Sequence, residues 1–424
     1  MQSSLFATDE AATTNTMPVT DIAFIIICAA LVFIMQAGFC LLEMGFSRAK
    51  NAINIVMKNV CDMSAGMLGF FFVGFGLMFG WSQGGFLGFG NFAFSSDYAA
   101  DSSVWVFFLF QAMFAATTVT ISSGAMAERT YFPGYLVYAA IACTFIYPFL
   151  GHWVWGGGGE AFGFGSGEGW LYKMGFRDFA GSTVVHAVGG AFALAGIITI
   201  GPRHGRFLAD GSERIFSGHN IPLGALGLFL LFFGWFGFNC GSNLAVDGTI
   251  GLIATNTMLS GSAALITGML VHWLVRGWAD AESAINGALG GLVAITACCN
   301  VVAPWAACIV GIVAAILVVF GGSILLKFKL DDAVGAVPVH LFCGIWGTLC
   351  VTLFNATEPL KNIGAQVTGA LVVPACAFGI AMVIFKIIDM TIGLRAGEEA
   401  QEQGLDFAEH SATAYPDFAS NDDS

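Results

Sequence analysis

Charge is scarce in this chain. Asp, Glu, Lys and Arg make up 10 % of the 424 residues, against about 25 % in soluble domains. Hydrophobic residues reach 57 % and the mean hydropathy is +0.80, which excludes a water-soluble globule. Also missing are the alternating apolar and polar segments of about ten residues that a membrane β-barrel requires. What remains is an all-α integral membrane protein. Its apolar runs have the ~20 residues needed to cross a hydrocarbon core of about 30 Å.

Other absences narrow the reading. No Lys or Arg precedes Arg48, so the basic start of a signal peptide is missing and the first helix is expected to be retained. No pair among the 11 cysteines has C-x-x-C spacing. Nearly all lie inside apolar runs, where a small buried hydrophobe is the expected role, ahead of metal ligation or a disulfide. No nucleophile–base or metal constellation is visible, so neither an enzyme nor a cofactor is expected. The formal charge of −13 gives nucleic-acid binding no support. After Arg395 come Glu398, Glu399, Glu402, Asp406, Glu409, Asp417, Asp422 and Asp423 with no Lys or Arg. That block reads as a solvated tail.

Eleven spans are expected, at about 21–45, 60–80, 104–126, 132–155, 179–200, 221–241, 250–275, 283–300, 304–326, 334–355 and 364–390. With the N-terminus outside, twelve of the 15 basic residues fall on the inner side, and only Lys173, Arg177 and Lys361 fall outside. The positive-inside rule therefore predicts an extracytoplasmic segment over 1–20, a membrane domain over 21–391 and an acidic cytoplasmic tail over 392–424.

Two stretches then stand out. Asp178 to His186 reads D-F-A-G-S-T-V-V-H, and Asp332 to His340 reads D-A-V-G-A-V-P-V-H. Each has Gly three residues after the Asp, and a further Gly four residues after the His (Gly190 and Gly344). The first opens the fifth span from outside; the second opens the tenth from inside. This predicts an inverted repeat of five plus five helices, with halves over about 21–200 and 221–355 and a final helix over 364–390. Eight residues of helix descend about 12 Å. Two such descents from opposite faces use about 24 Å of a core of about 30 Å, so His186 and His340 should meet near the middle. A metal there would want further ligands, and none falls at that depth. Two neutral imidazoles can share a proton and bond a small polar molecule. Each Asp sits at a helix start, where a carboxylate is favoured by the helix dipole.

Aromatic residues cluster with small polar groups at outward-facing helix ends. F-Q-A-M-F places Phe110 and Phe114 on one helix face, H-W-V-W-G-G carries Trp155, and G-W-F-G-F-N-C-G-S carries Trp235, Phe238 and Ser242. An indole face beside a hydroxyl attracts a small cation through cation–π contact worth about 1–2 kcal/mol.

Six stretches in order — F-Q-A-M-F-A-A, G-A-M-A-E-R, H-W-V-W-G-G, D-F-A-G-S-T-V-V-H, G-W-F-G-F-N-C-G-S and D-D-A-V-G-A-V-P-V-H — resemble the ammonium transporter, methylammonium permease and Rhesus family over nearly the whole chain. The resemblance implies an outer ammonium-recruitment site of Trp155, Phe114 and Ser242, supported structurally by Asp178. It implies a phenylalanine gate of Phe110 and Phe238, and a pore lined by His186, His340 and Trp235. It further implies a homotrimer in the plasma membrane with one pore per subunit, and a cytoplasmic PII-type regulatory protein as partner. The first helix departs from the family pattern. It reads M-Q-A-G-F-C-L-L-E-M-G-F-S-R-A-K-N, with Glu43 in its inner half and no obvious partner, where many members read closer to T-P-G-L-A-L-F-Y-G-G.

The expectation is thus ammonium transport, with the ion stripped of a proton before it crosses and the proton transferred alongside. Two alternatives share the fold: an ammonium receptor, which would carry an output domain after the last helix, and a passive channel for ammonia or carbon dioxide.

Overall fold

A computed structural model describes residues 17–93 and 102–418. Apolar helices dominate it: α1 Val19–Phe46, α2 Ala49–Phe79, α3 Ser103–Ala125, α4 Phe132–Phe162, α5 Ser182–Ile200, α6 Ile221–Gly241, α7 Ile250–Arg276, α9 Pro304–Lys327 and α11 Ile363–Thr391. Among the described residues these nine are long and apolar enough to cross a membrane. Two shorter helices, α8 Ala281–Thr296 and α10 Val337–Leu353, fall where further spans are expected. The N-terminal segment expected over 1–20 lies largely outside the described residues.

Local chemistry sets the helix ends. Proline enters the first turn of α4, α6 and α9, where its missing N–H costs no hydrogen bond. Asn220 and Asp280 cap α6 and α8 by accepting from Leu223 and Ser283 N–H. Gly277 ends α7 at φ +94°, a backbone region that favours glycine.

Glycine also sets how closely α1 and α6 approach. A Cβ at Gly45 would lie 2.5 Å from Gly224 N, and one at Gly227 would lie 2.6 Å from Leu42 N. Backbone against backbone is the packing that small residues allow in lipid, where hydrophobicity no longer draws helices together.

Three expectations need correction. The second helix begins at Ala49, not near residue 60, and Lys58, Asn59 and Asp62 are buried inside it. Their polarity reads as loop in sequence, but their partners come from other helices. Lys58 Nζ donates to Ser123 O at 3.0 Å, and Tyr135 OH donates to Asp62 Oδ2 at 2.6 Å. Helices are also not the sole element. A hairpin pairs Trp81–Gln83 with Leu87–Phe89 in antiparallel register, Trp81 opposite Phe89.

The tail, third, is not simply solvated. Its short helices α12 Glu398–Gln403 and α13 Leu405–His410 pack on the end of the bundle, with Gln401, Leu405 and Asp406 buried. Asp406 accepts from Asn54 N at 2.8 Å, Glu409 accepts from Asn54 Nδ2 at 2.7 Å, and Leu405 N donates to Asn51 Oδ1 at 2.9 Å. The acids are anchored by backbone and amide donors that no charge count registers.

The same face carries a buried ion cluster. Arg203 reaches Glu128 at 2.9 Å and Asp331 at 2.8 Å, Arg206 reaches Asp331 at 3.3 Å, and Arg48 pairs with Glu128. It ties the ends of α1 and α3 to the loops before α6 and α10. The stretch that leads into the His340 helix is thereby fixed.

Candidate functional site

The two repeated stretches fold alike. Asp178 Oδ1 accepts from Gly181 and Ser182 N–H at 2.9 and 3.0 Å, and Oδ2 accepts from Thr183 and Val184 at 2.8 and 2.9 Å. Asp332 repeats this, with Oδ1 accepting from Gly335 and Ala336 at 3.0 Å each and Oδ2 from Val337 at 2.7 Å. Both carboxylates are consumed in closing a helix start. The glycine three residues on has φ +116° at Gly181 and +82° at Gly335, which explains its place in both stretches.

Each cap leads into a π-helical turn, Ser182–Ala187 and Val337–Phe342, and each turn carries its histidine. Such turns shift one residue out of α register and are frequent at functional sites. The second glycine of each stretch has a reciprocal task. A Cβ at Gly190 would lie 2.4 Å from Leu341 N, beside His340, and one at Gly344 would lie 2.4 Å from Ser182 O, in the His186 turn. Each helix is bare where the other's broken turn crosses it.

The histidines consequently meet. His186 Nδ1 and His340 Nδ1 are 3.1 Å apart, with ring centroids 5.3 Å apart and planes 23° from parallel. One hydrogen fits between two such nitrogens. In a neutral pair, the ring that donates it has a bare Nε2 and the ring that accepts it carries Nε2–H. The pair thus presents one acceptor and one donor to any guest. His186 is fully buried, and its Nε2 has no partner among the described residues. Trp235 lies along the His186 ring at 5.3 Å and 17°, with its indole N–H donated to Thr296 Oγ1 at 2.9 Å. Trp235 therefore shows His186 an apolar face.

On one side of the pair lies an aromatic pocket of about 250 Å³, lined by Phe107, Phe110, Phe114, Trp155, Glu160 and Ser242 among others. The Trp155 indole donates to Asp178 O at 2.8 Å, which fixes the ring and leaves its face to the pocket. Ser242 Oγ donates to Phe238 O at 2.9 Å, so its lone pairs stay available to a cation. Asp178 acts here through its carbonyl; its carboxylate does not face the pocket guest.

Between pocket and histidines stands a ring stack. Phe238 stacks on Phe114 at 4.1 Å and 29°, and Phe110 packs against Phe114 at 4.7 Å. Phe110 and Phe114 share one face of α3, and spacing alone cannot say which is deeper. Phe114 also sits 6.1 Å from Trp155, so one ring serves both pocket wall and stack. Phe238 in turn lies 5.5 Å from His186, completing a continuous aromatic path.

Sequence reasoning passed over two pocket acids, Glu160 and Glu168. The available signal was their place in a glycine-rich loop after Trp155, where negative charge beside an aromatic pocket concentrates cations. It also saw no role for Gln111, whose Oε1 is buried at the pocket without a partner among the described residues.

Residues 23–415 match the family model described as the Ammonium Transporter Family. The chain belongs to that family. It is 43 % identical over 420 residues to the ammonium transporter Amt2 of Archaeoglobus fulgidus, covering 94 % of this chain and 88 % of that one. Among solved structures, a sensor Amt protein superposes with TM-score 0.87 at 40 % identity, covering 92 % of this chain and 98 % of the other. Mep2 of Candida albicans superposes with TM-score 0.83 at 28 % identity, covering 94 % and 93 %. This member of the ammonium transporter family is accordingly a multi-pass membrane protein.

Proposed function

We propose that this chain carries ammonium across the plasma membrane by separating the proton from ammonia at the Phe114–Phe238 stack and passing ammonia beside His186 and His340. The single observation that carries the reading is the buried, directly bonded histidine pair behind a closed aromatic stack. Taking an ion out of water costs several kcal/mol even after relaxation. The aromatic pocket offsets part of that through Trp155, Phe114 and the lone pairs of Ser242. Past the stack the surroundings are hydrocarbon, and a neutral polar molecule is much cheaper to hold there than an ion. The two Nε2 positions then supply the donor and acceptor that ammonia needs. Potassium has no proton to give up and is refused.

In this reading α8 and α10 join the nine longer helices as spans, giving eleven crossings. The halves over about 21–200 and 221–355 form an inverted repeat, with the N-terminus outside and the tail over 392–424 in the cytoplasm. The matched caps, π turns and reciprocal glycines support the repeat, and the distribution of basic residues supports the orientation. A homotrimer with a pore in each subunit, and a PII-type protein docking on the cytoplasmic face, complete the assignment.

Uptake of labelled methylammonium into proteoliposomes tests it. The wild-type protein accumulates label faster than empty liposomes do. Trp155→Leu loses about 1–2 kcal/mol of cation–π attraction, so its half-saturating concentration should rise roughly 5- to 30-fold. Uptake indistinguishable from that of empty liposomes contradicts the assignment. A Trp155→Leu curve that overlays the wild type removes Trp155 from the recruitment site.

A further inference from the structure

Glu43, Lys58 and Asp62 are buried charged side chains that the pore reading leaves unused. Ionisable groups at membrane depth are costly and are usually retained for a task. Glu43 is the one that reaches the pore. Beyond His340, away from the aromatic pocket, is a cavity of about 20 Å³ bordered by His340, Phe39, Glu43, Gly124 and Val334. That suffices for one molecule the size of water or ammonia. The Phe39 ring lies 6.2 Å from the His340 ring. Glu43 follows Phe39 by four residues, so it occupies the same face of α1 one turn further on.

The carboxyl is held from behind. Its Oε2 accepts from Asn59 Nδ2 at 3.1 Å and from Ser123 Oγ at 2.9 Å. Gly124 leaves it room, since a Cβ there would lie 3.1 and 3.2 Å from Glu43 Cγ and Cδ. Lys58 sits behind Ser123, donating to its carbonyl, with Nζ 5.3 Å from the centre of the Tyr135 ring. Asp62 accepts from Tyr135 and from Thr120 Oγ1 at 3.0 Å. One ammonium among two carboxyl groups is neutral overall when the carboxyls hold a single proton. Taking up one proton brings the set from a net charge of −1 to zero, and releasing it restores −1.

We propose that Glu43 is the inner proton station of the pore, receiving the proton from His340 and returning it to ammonia as it leaves. The inference rests on the transport reading above. In the first step an N–H bond of a protonated His340 breaks and an O–H bond forms on Glu43, leaving the imidazole neutral. In the second the ammonia lone pair takes that proton, the O–H bond breaks, ammonium leaves and the carboxylate is restored. No other reactant is consumed.

The test compares two readouts on the full chain in liposomes: the current elicited by an ammonium pulse, and the lumenal alkalinisation that entry of ammonia alone produces. Glu43→Gln keeps an acceptor for Asn59 and Ser123 but cannot carry the proton. Its current should fall at least tenfold while alkalinisation rises above the wild-type value, because ammonia then enters without its proton, and Glu43→Asp should recover part of the current. Gln also removes one of the carboxyl groups around Lys58, so Glu43→Gln/Lys58→Met serves if the single variant does not fold, with the same expected split. Wild-type current in either Gln variant overturns the proposal. So does a loss of current with no rise in alkalinisation, which marks Glu43 as structural. A wild-type protein without ammonium current contradicts the transport reading instead, before any variant is compared.

Discussion

His186→Ala lowers the ammonium-elicited current of the reconstituted protein at least tenfold, and His340→Ala does the same. Each substitution removes one of the two imidazoles that share a hydrogen across 3.1 Å. The remaining ring keeps a buried nitrogen with no partner, and an unsatisfied buried polar group costs about 1–3 kcal/mol. Ammonia also loses one of the two polar groups that replace its hydration inside the hydrocarbon path, which raises its barrier. The proton route is also cut, because a relay needs both rings. The double variant should be little worse than either single one, since residues that act as a unit are not additive. Current that persists in the variants should admit potassium, because alanine leaves a cavity that water can fill, beside Trp235 in the first variant and beside Phe39 in the second. Selective, undiminished current in both single variants refutes the role given to the pair.

Asp331→Asn should lower the thermal transition of the detergent-solubilised protein more than other substitutions outside the pore. Asp331 is buried and receives both Arg203 and Arg206, and Arg203 also reaches Glu128. Removing one partner of a buried ion pair costs about 3–5 kcal/mol, because the other charge stays behind. Acid should erase the difference. Burial alone would raise the Asp331 carboxyl, but hydrogen bonds from Arg203 and the charges of Arg129 and Arg203 hold it well below the usual carboxylate range. A carboxyl lowered by folding stabilises the protein above its unfolded pKa of about 3.9 and loses that contribution as pH falls through the lowered value. The gap between wild type and Asp331→Asn is therefore full at pH 7 and shrinks steadily on acidification below about pH 4. A gap independent of pH across that range contradicts the account of the cluster.

The histidine pair was legible before any coordinates because its signal is doubled. A lone Asp-to-His stretch says little, whereas two at one spacing, expected to enter from opposite faces, imply a meeting point. The caps were legible too, since Asp at a helix start followed by Gly has a local cause. The order of the phenylalanines was not. Phe110 and Phe114 are equivalent by helical spacing, and only the approach of α6 decides that Phe238 stacks on Phe114. Glu43 lacked a visible partner because Asn59 and Ser123 come from α2 and α3. The start of α2 was misplaced for the same reason, its polar residues being satisfied across helices. The docking of the acidic tail rests on amide donors such as Asn54 N, and charge patterning carries no trace of those.

In the proposed mechanism the permeant must surrender a proton to pass. This requirement is tested most directly by presenting ammonium and then potassium, at equal concentration, to the wild-type protein in one reconstituted membrane. Ammonium should carry an inward current and potassium none. Potassium current comparable to that of ammonium would contradict the mechanism.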